Sequence, residues 1–460
     1  VIVTLLLQAQ SNTAQTSNNE LEFIQGTDLS ALLEVEEHGG IFKENGLQKD
    51  ILQILKDHNI NYVRLKIWHS PITGYNGLPK VIQMASRIKL MGLKFLLDFH
   101  YSDTWADPGS QIKPAAWQGL SFQTLKDSVY EYSKSVISSL KLYNVLPDMI
   151  QIGNEITCGF LWDEGRVCNQ FNSNQQWNQF AGLIKECIRG VKENIDSGDS
   201  VKIAIHIDRG GDNTGSRWFF DNLIAKGVDF DIIGLSYYPW WHGTLSDLEF
   251  NVNDLAQRYG KNIILLETAY PWTLTWNDNT NNIVGNSNQL LPGYPAEVEG
   301  QKKFIVDIKN LIKNIPNNKG SGFFYWEPDW ITAPQLGSPW ENVTLFDFSG
   351  ELLNSITAFD STYSGLSNSN GLINSFSLKQ NFPNPFNPAT IIEYSIPTYS
   401  HVTIKVYDIL GVEIKTVVNE VQTPGDYKKY FDGSKLSNGV YFYQLKANGL
   451  VSVKKMILLR

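Results

Sequence analysis

The chain has 460 residues, 42% hydrophobic and 12% aromatic, with a net charge of −9. It is too long for one ordinary domain and long enough for a large core. Ten basic against six acidic residues from Gly371 onward leave −13 on the first 370, and all 13 Trp fall between Trp68 and Trp340. An acidic, Trp-rich body argues against a polyanionic partner such as nucleic acid. It suits a neutral ligand with flat apolar faces, such as a sugar, with Trp as core filler the alternative.

The sequence opens on Val1-Ile-Val-Thr-Leu-Leu-Leu7, then Gln-Ala-Gln and a Ser/Asn/Thr-rich stretch. Residues 1–20 read as the end of a signal peptide's apolar region and a flexible mature N-terminus, with a buried first strand as the alternative. From there to residue 360, short runs of β-branched, Leu and aromatic residues alternate with longer segments of helical period. Strands are expected at 23–30, 62–68, 94–102, 149–156, 201–208, 232–238, 263–270 and 322–327. Helices are expected at 47–58, 79–91, 122–143, 175–195, 245–259 and 297–314. Apolar runs such as Ile263-Ile-Leu-Leu266 fit a parallel sheet covered on its outer face. Eight βα units over residues 21–360 point to an α/β fold, a (β/α)8 TIM barrel. A doubly wound open sheet is the alternative, but it lacks the Gly-rich phosphate turn of its nucleotide-binding versions. No later run approaches the ~18 apolar residues of a membrane span. Three Cys rule out a disulfide scaffold. Cys158 and Cys168, in one expected loop, can pair in an oxidising compartment, and Cys187 falls in a helical pattern as a buried thiol. No CxxC or His cluster supports zinc.

The C-terminal strand ends carry Arg64, His100, Asn154-Glu155, His206, Tyr237, Glu267 and Trp326, at the face where barrels build active sites. Glycosidic cleavage needs a proton for the leaving oxygen and a carboxylate to meet an oxocarbenium-like carbon. Glu155 and Glu267, on the fourth and seventh strands, can supply both, at the short separation associated with retention of configuration. One carboxyl must be raised in pKa and the other kept ionised. Arg64 is expected to favour the ionised one, Tyr237 to donate to it, and Asn154 to bind a sugar hydroxyl beside the reacting carbon.

The segments Asp98-Phe-His-Tyr-Ser-Asp-Thr-Trp-Ala-Asp-Pro108, Lys113-Pro-Ala-Ala-Trp117, Gln151-Ile-Gly-Asn-Glu155, Leu161-Trp162, Ser236-Tyr-Tyr-Pro239, Glu267-Thr-Ala-Tyr270, Tyr325-Trp-Glu-Pro328 and Trp340-Glu-Asn342 closely resemble the arabinogalactan endo-β-1,4-galactanases. The resemblance runs from about Phe23 to Asp360. It implies Glu155 as acid/base and Glu267 as nucleophile, without a required cofactor. It also implies that Arg64, His100, Asn154, His206, Tyr237 and Trp326 shape the subsite at the point of cleavage, with Asp103, Trp105 and Trp117 in or beside the groove. Galactan is a neutral chain, as the composition suggests. Some bacterial members hold calcium between the loops after the seventh and eighth strands. Here the corresponding loop, Thr275-Trp-Asn-Asp-Asn-Thr-Asn-Asn282, offers hard oxygens, but only Asp278 brings charge, leaving a structural calcium open and giving it no catalytic role. Another endo-glycanase of the same clan (mannanase, xylanase or cellulase) and a non-catalytic glycan-binding surface protein are the competing readings.

Residues 361–377 form a Ser/Asn/Gly linker, and residues 378–460 an antiparallel β-sandwich with strands expected at 391–396, 402–407, 440–445 and 451–458. This segment has no Trp to stack on a sugar. Its Asn384-Pro-Phe-Asn-Pro388 entry and Lys454-Lys455 finish resemble the C-terminal sorting domain of the type IX secretion route. That resemblance implies the type IX machinery as a partner and a secreted or surface-attached protein of a Gram-negative bacterium.

Overall fold

The computed structural model describes residues 22–196, 198, 200–360, 376–396, 400–422, 425–447 and 450–459. The expected signal-peptide remnant and all but the last two residues of the expected linker lie outside the described residues. Two compact units divide at Ser361 and Thr362.

In the first unit, strands β1 (Ile24–Asp28), β2 (Tyr62–Ile67), β3 (Lys94–Phe99), β4 (Met149–Ile152), β5 (Lys202–Ile207), β6 (Ile232–Ser236), β7 (Asn262–Thr268) and β8 (Gly320–Tyr325) close into a parallel barrel, with β1 paired to both β2 and β8. All eight expected strands are present. Helices α1 (Leu32–Glu37) and α2 (Ile51–Asp57) fill the first connection. Then α3 (Leu78–Leu90), α4 (Phe122–Leu142), α5 (Asn174–Lys192), α6 (Asn213–Ala225), α7 (Leu245–Tyr259) and α8 (Val298–Lys313) follow successive strands. Helix α2 starts later than the periodicity suggests. Leu47–Gln48 pairs with Lys43–Glu44 instead, and the Asp50 carboxylate caps the helix by accepting from Leu52 N at 2.8 Å. Sequence periodicity passes over α1 and α6, whose buried stripes are short.

Side chains alternate across each strand. Ile24, Tyr62, Leu96, Met149, Ala204, Ile232, Ile264, Leu266 and Phe324 form the barrel's own interior cluster, while Val63, Leu97, Ile205, Leu235 and Leu265 face the helices. Gly26 belongs to the inward set, where a Cβ would lie 2.3 Å from the Phe324 ring. Continued to the C-terminal mouth, the inward set brings in polar residues: Asp28, Arg64, Lys66, Asp98, His100, Gln151, His206 and Ser236.

The second unit has two antiparallel sheets. One orders β9 (Ser377–Leu378), β10 (Ala389–Ile396) and β13 (Gly425–Asp432). The other orders β12 (Glu413–Gln422), β11 (Ser400–Tyr407), β14 (Gly439–Ala447) and β15 (Leu450–Leu458). Val402, Ile404, Tyr443, Leu445 and Ile392 share its core. Strands β12 and β13 escape the sequence pattern because β12 is mostly exposed on both faces. They are held by ladder hydrogen bonds to β11 and β10.

Candidate active site

Arg64 is the centre of the mouth. Its fully buried guanidinium donates to Asp28 Oδ2 (2.9 Å), Asp98 Oδ2 (2.8 Å), Asn154 Oδ1 (2.8 Å) and Gln151 Oε1 (3.2 Å). It also pairs with Glu267 Oε1 at 3.0 Å. His100 Nε2 lies 3.0 Å from Asp98 Oδ2, while its Nδ1 accepts from Trp68 Nε1 and Ala106 N, both at 3.2 Å. Asn154 donates to Ala106 O at 2.8 Å, which fixes the amide's orientation.

Glu267 reaches this cluster through a register shift. Ser236 pairs with Glu267 after Leu235 has paired with Leu265, so β7 carries one extra residue. Strict alternation would turn Glu267 away from the interior that Ile264 and Leu266 occupy; the bulge re-aims it inward. Its Oε2 accepts from Tyr238 Oη at 3.0 Å. The expected donor, Tyr237, is not involved. It lies on the outward set, packs against Phe304 and donates to Gly243 O at 2.9 Å. Extending the alternation of Ile232, Gly234 and Ser236 by one step selects Tyr238.

Glu155 sits just beyond β4 with a left-handed backbone, φ 48°. The Ser236 hydroxyl donates to its Oε1 at 2.6 Å, and His206 Nε2 lies 2.9 Å from the same hydroxyl. Burial, with Glu267 and Asp208 nearby, pushes the Glu155 carboxyl well above the usual carboxylate range. Burial also lifts Glu267, to about 7, against the opposing pull of Arg64. Arg64 therefore does not hold Glu267 at an ordinary carboxylate value, because burial is the larger effect. Its contact with Glu267 nonetheless favours the ionised form of that carboxyl. His206 is pushed well below its ordinary value by burial, then by Arg64, so its imidazole is neutral.

Trp105 stacks parallel to Trp330 at 6.3 Å, with Lys66 Nζ 4.0 Å from its ring centroid, and Trp326 packs on Trp105 at 6.1 Å. Two expected groove residues have other work. Trp117 is 5% exposed and packs on His69 and Tyr132, so it offers no open face. Asp103 accepts from Ser70 N and Ala115 N at 2.9 and 2.8 Å and pins two loops together. Lys66 donates to Glu327 Oε1 at 2.6 Å. Burial lifts Glu327 to about 7 against Lys66, and lifts Asp329 well above the carboxylate range, with Glu327 adding to it. Neither Asp329 carboxyl oxygen has a donor among the described residues. Sequence reading passed over Asp28, Lys66, Asp98, Gln151, Ser236, Tyr238 and Glu327, although the inward alternation carries the signal for all but the last.

The loop after Glu155 is closed by the disulfide Cys158–Cys168, and Cys187 is free and buried. The loops after β7 and β8 are tied together by side-chain hydrogen bonds. Asp278 accepts from Thr280 N and Ser338 N, Glu341 accepts from Asn277 N, and the two carboxylates share the single proton of the Thr332 hydroxyl. Among the described residues, no group of three or more His, Cys, Asp or Glu is arranged to hold a metal.

A closed parallel barrel whose C-terminal mouth holds two buried carboxyls in unlike surroundings, one beside an arginine and one beside a hydroxyl, defines a two-carboxylate barrel glycosidase. Residues 24–359 match the model of glycosyl hydrolase family 53, and residues 380–459 match the secretion system C-terminal sorting domain. An uncharacterized protein of Niallia circulans is 51% identical over 346 residues, covering 74% of this chain and 94% of its own. An endo-β-1,4-galactanase of Bacillus subtilis is 34% identical over 390 residues, covering 75% and 87%. The solved family 53 catalytic domain of Ignisphaera aggregans is 40% identical with a TM-score of 0.69, covering 74% and 95%. The chain belongs to glycosyl hydrolase family 53.

Proposed function

We propose that this protein cleaves internal β-1,4-galactosidic bonds of galactan and type I arabinogalactan with retention of configuration. The observation that carries the reading is the asymmetry of the carboxyl pair: Glu267 lies 3.0 Å from the Arg64 guanidinium, while Glu155 receives a neutral hydroxyl and is pushed well above the carboxylate range by burial. Glu155 gives its proton to the leaving oxygen as Glu267 attacks C1 and the C1–O bond breaks. Water, losing a proton to Glu155, then attacks C1 and displaces Glu267. Asn154 and His206 line the reacting centre, and the half-buried Trp105 supplies a face for a neutral sugar. The named galactanase relatives favour galactose. The sorting domain supports export through the type IX route of a Gram-negative bacterium, to the medium or the cell surface. Among the described residues, no helix is long and apolar enough to cross a membrane.

Reducing ends released from galactan, mannan and xylan side by side test the substrate, with galactan expected to be the one degraded. Following the anomeric proton by NMR in the first minutes tests the stereochemistry. A β product is expected, and an initial α product would contradict double displacement.

A further inference from the structure

Ser236 ends β6 on the inward set and is fully buried. Its hydroxyl meets two groups, Glu155 Oε1 at 2.6 Å and His206 Nε2 at 2.9 Å, and it has one proton to give. Which group receives that proton depends on the His206 tautomer. The backbone N–H of Glu155 points at His206 Nδ1 at 3.4 Å, and a backbone N–H can only donate. The Gln151 amide nitrogen lies 3.0 Å from the same Nδ1 and likewise can only donate, while Asn154 Oδ1, 2.9 Å away, accepts from Arg64. Nδ1 therefore carries the lone pair and Nε2 the hydrogen. His206 Nε2–H donates to Ser236 Oγ, and the Ser236 proton goes to Glu155 Oε1.

We propose that Ser236 is a positioning residue for acid/base catalysis, fixing Glu155 Oε1 as an acceptor so that the transferable proton resides on Oε2. This rests on the reading of Glu155 as acid/base. In the first step the Oε2 proton passes to the glycosidic oxygen as the C1–O bond breaks and the C1–Glu267 bond forms. In the second, Oε2 takes a proton from water as the C1–O(water) bond forms and the C1–Glu267 bond breaks. The Ser236 to Oε1 bond is kept through both steps, and the amide of Glu155 itself sets the tautomer that makes it possible.

The test compares kcat/KM, which reports the first step, on galactan and on a 2,4-dinitrophenyl β-1,4-galactobioside, whose leaving group needs no proton. For Ser236→Ala, kcat/KM on galactan should fall about tenfold or more, as part of the ~10²–10⁴ that positioned proton transfer supplies. On the aryl substrate it should stay within about twofold. Ser236→Thr, which keeps the hydroxyl, should restore the galactan value. Ser236→Cys, close in size but a weak donor, should show the same split if the alanine variant does not fold. An equal loss on both substrates would make Ser236 merely structural and overturn the proposal. Glu155→Ala, run in parallel, separates the two readings. If it shows no split, the assignment of Glu155 fails; if it splits and the folded Ser236 variants do not, only the role of Ser236 fails.

Discussion

Tyr237 and Tyr238 are neighbours in the chain and face opposite sides of the barrel wall. The strand-end position alone singles out Tyr237, while the two-residue period, counted from Ile232, selects Tyr238. A hydrogen bond to an ionised group is worth about 1.5–3 kcal/mol, so Tyr238→Phe should lower kcat roughly ten- to hundredfold. Tyr237→Phe loses only a bond to the Gly243 carbonyl and should leave kcat unchanged while lowering the melting temperature by a few degrees. Steady-state rates and thermal melts of the two variants decide it, and comparable losses of kcat would remove Tyr238 from the site. Arg64, His100, Asn154, Glu155, His206, Glu267 and Trp326 were legible because unusual residue types cluster at strand ends. Trp117 was misplaced because an aromatic ring in a loop reads the same in sequence whether it packs on His69 and Tyr132 or faces a sugar.

At the level of elements, the eight barrel strands were legible because short runs of β-branched, Leu and aromatic residues alternate with longer segments of helical period. The bulge in β7 was not. It depends on pairing with both β6 and β8, and no local pattern around Glu267 encodes a cross-strand register. The ties between the loops after β7 and β8 were equally invisible, since Asp278 and Glu341 lie 63 positions apart in sequence and meet through Thr332. The carboxyl pair and Arg64 supply the roles the reaction needs, so treatment with EDTA should leave the rate unchanged. A fall in melting temperature would mean that these loops take up a metal after all, and a fall in rate at unchanged stability would contradict the metal-free chemistry.

For the whole molecule, the boundary near Ser361 and the residue content of the two units suggest separable roles. Every residue placed in the mouth precedes Trp340, and the second unit has no Trp. Truncation near Ser367 should give a soluble barrel with near wild-type turnover on soluble galactan. Loss of binding to insoluble galactan with unchanged turnover on short oligosaccharides would instead assign sugar binding to the tail. The buried carboxyls of the mouth also govern how stability follows pH. Groups raised in the folded state hold protons that the unfolded chain has already lost, so the folded state binds more protons from the ordinary value of 4.5 up to about 7 for Glu267 and Glu327, and stability falls as pH climbs through that window. The melting temperature should drop between pH 5 and pH 8, and less steeply in Asp329→Asn, which removes a carboxyl raised well above its ordinary value. A flat or rising profile would show that these groups ionise in the fold as freely as in water. Folding of the barrel is, in this range, also a proton-uptake reaction. Unfolding at pH 6 must hand those protons to the buffer, so scanning calorimetry should return a smaller apparent enthalpy in imidazole, which binds protons exothermically, than in phosphate, which exchanges them with little heat.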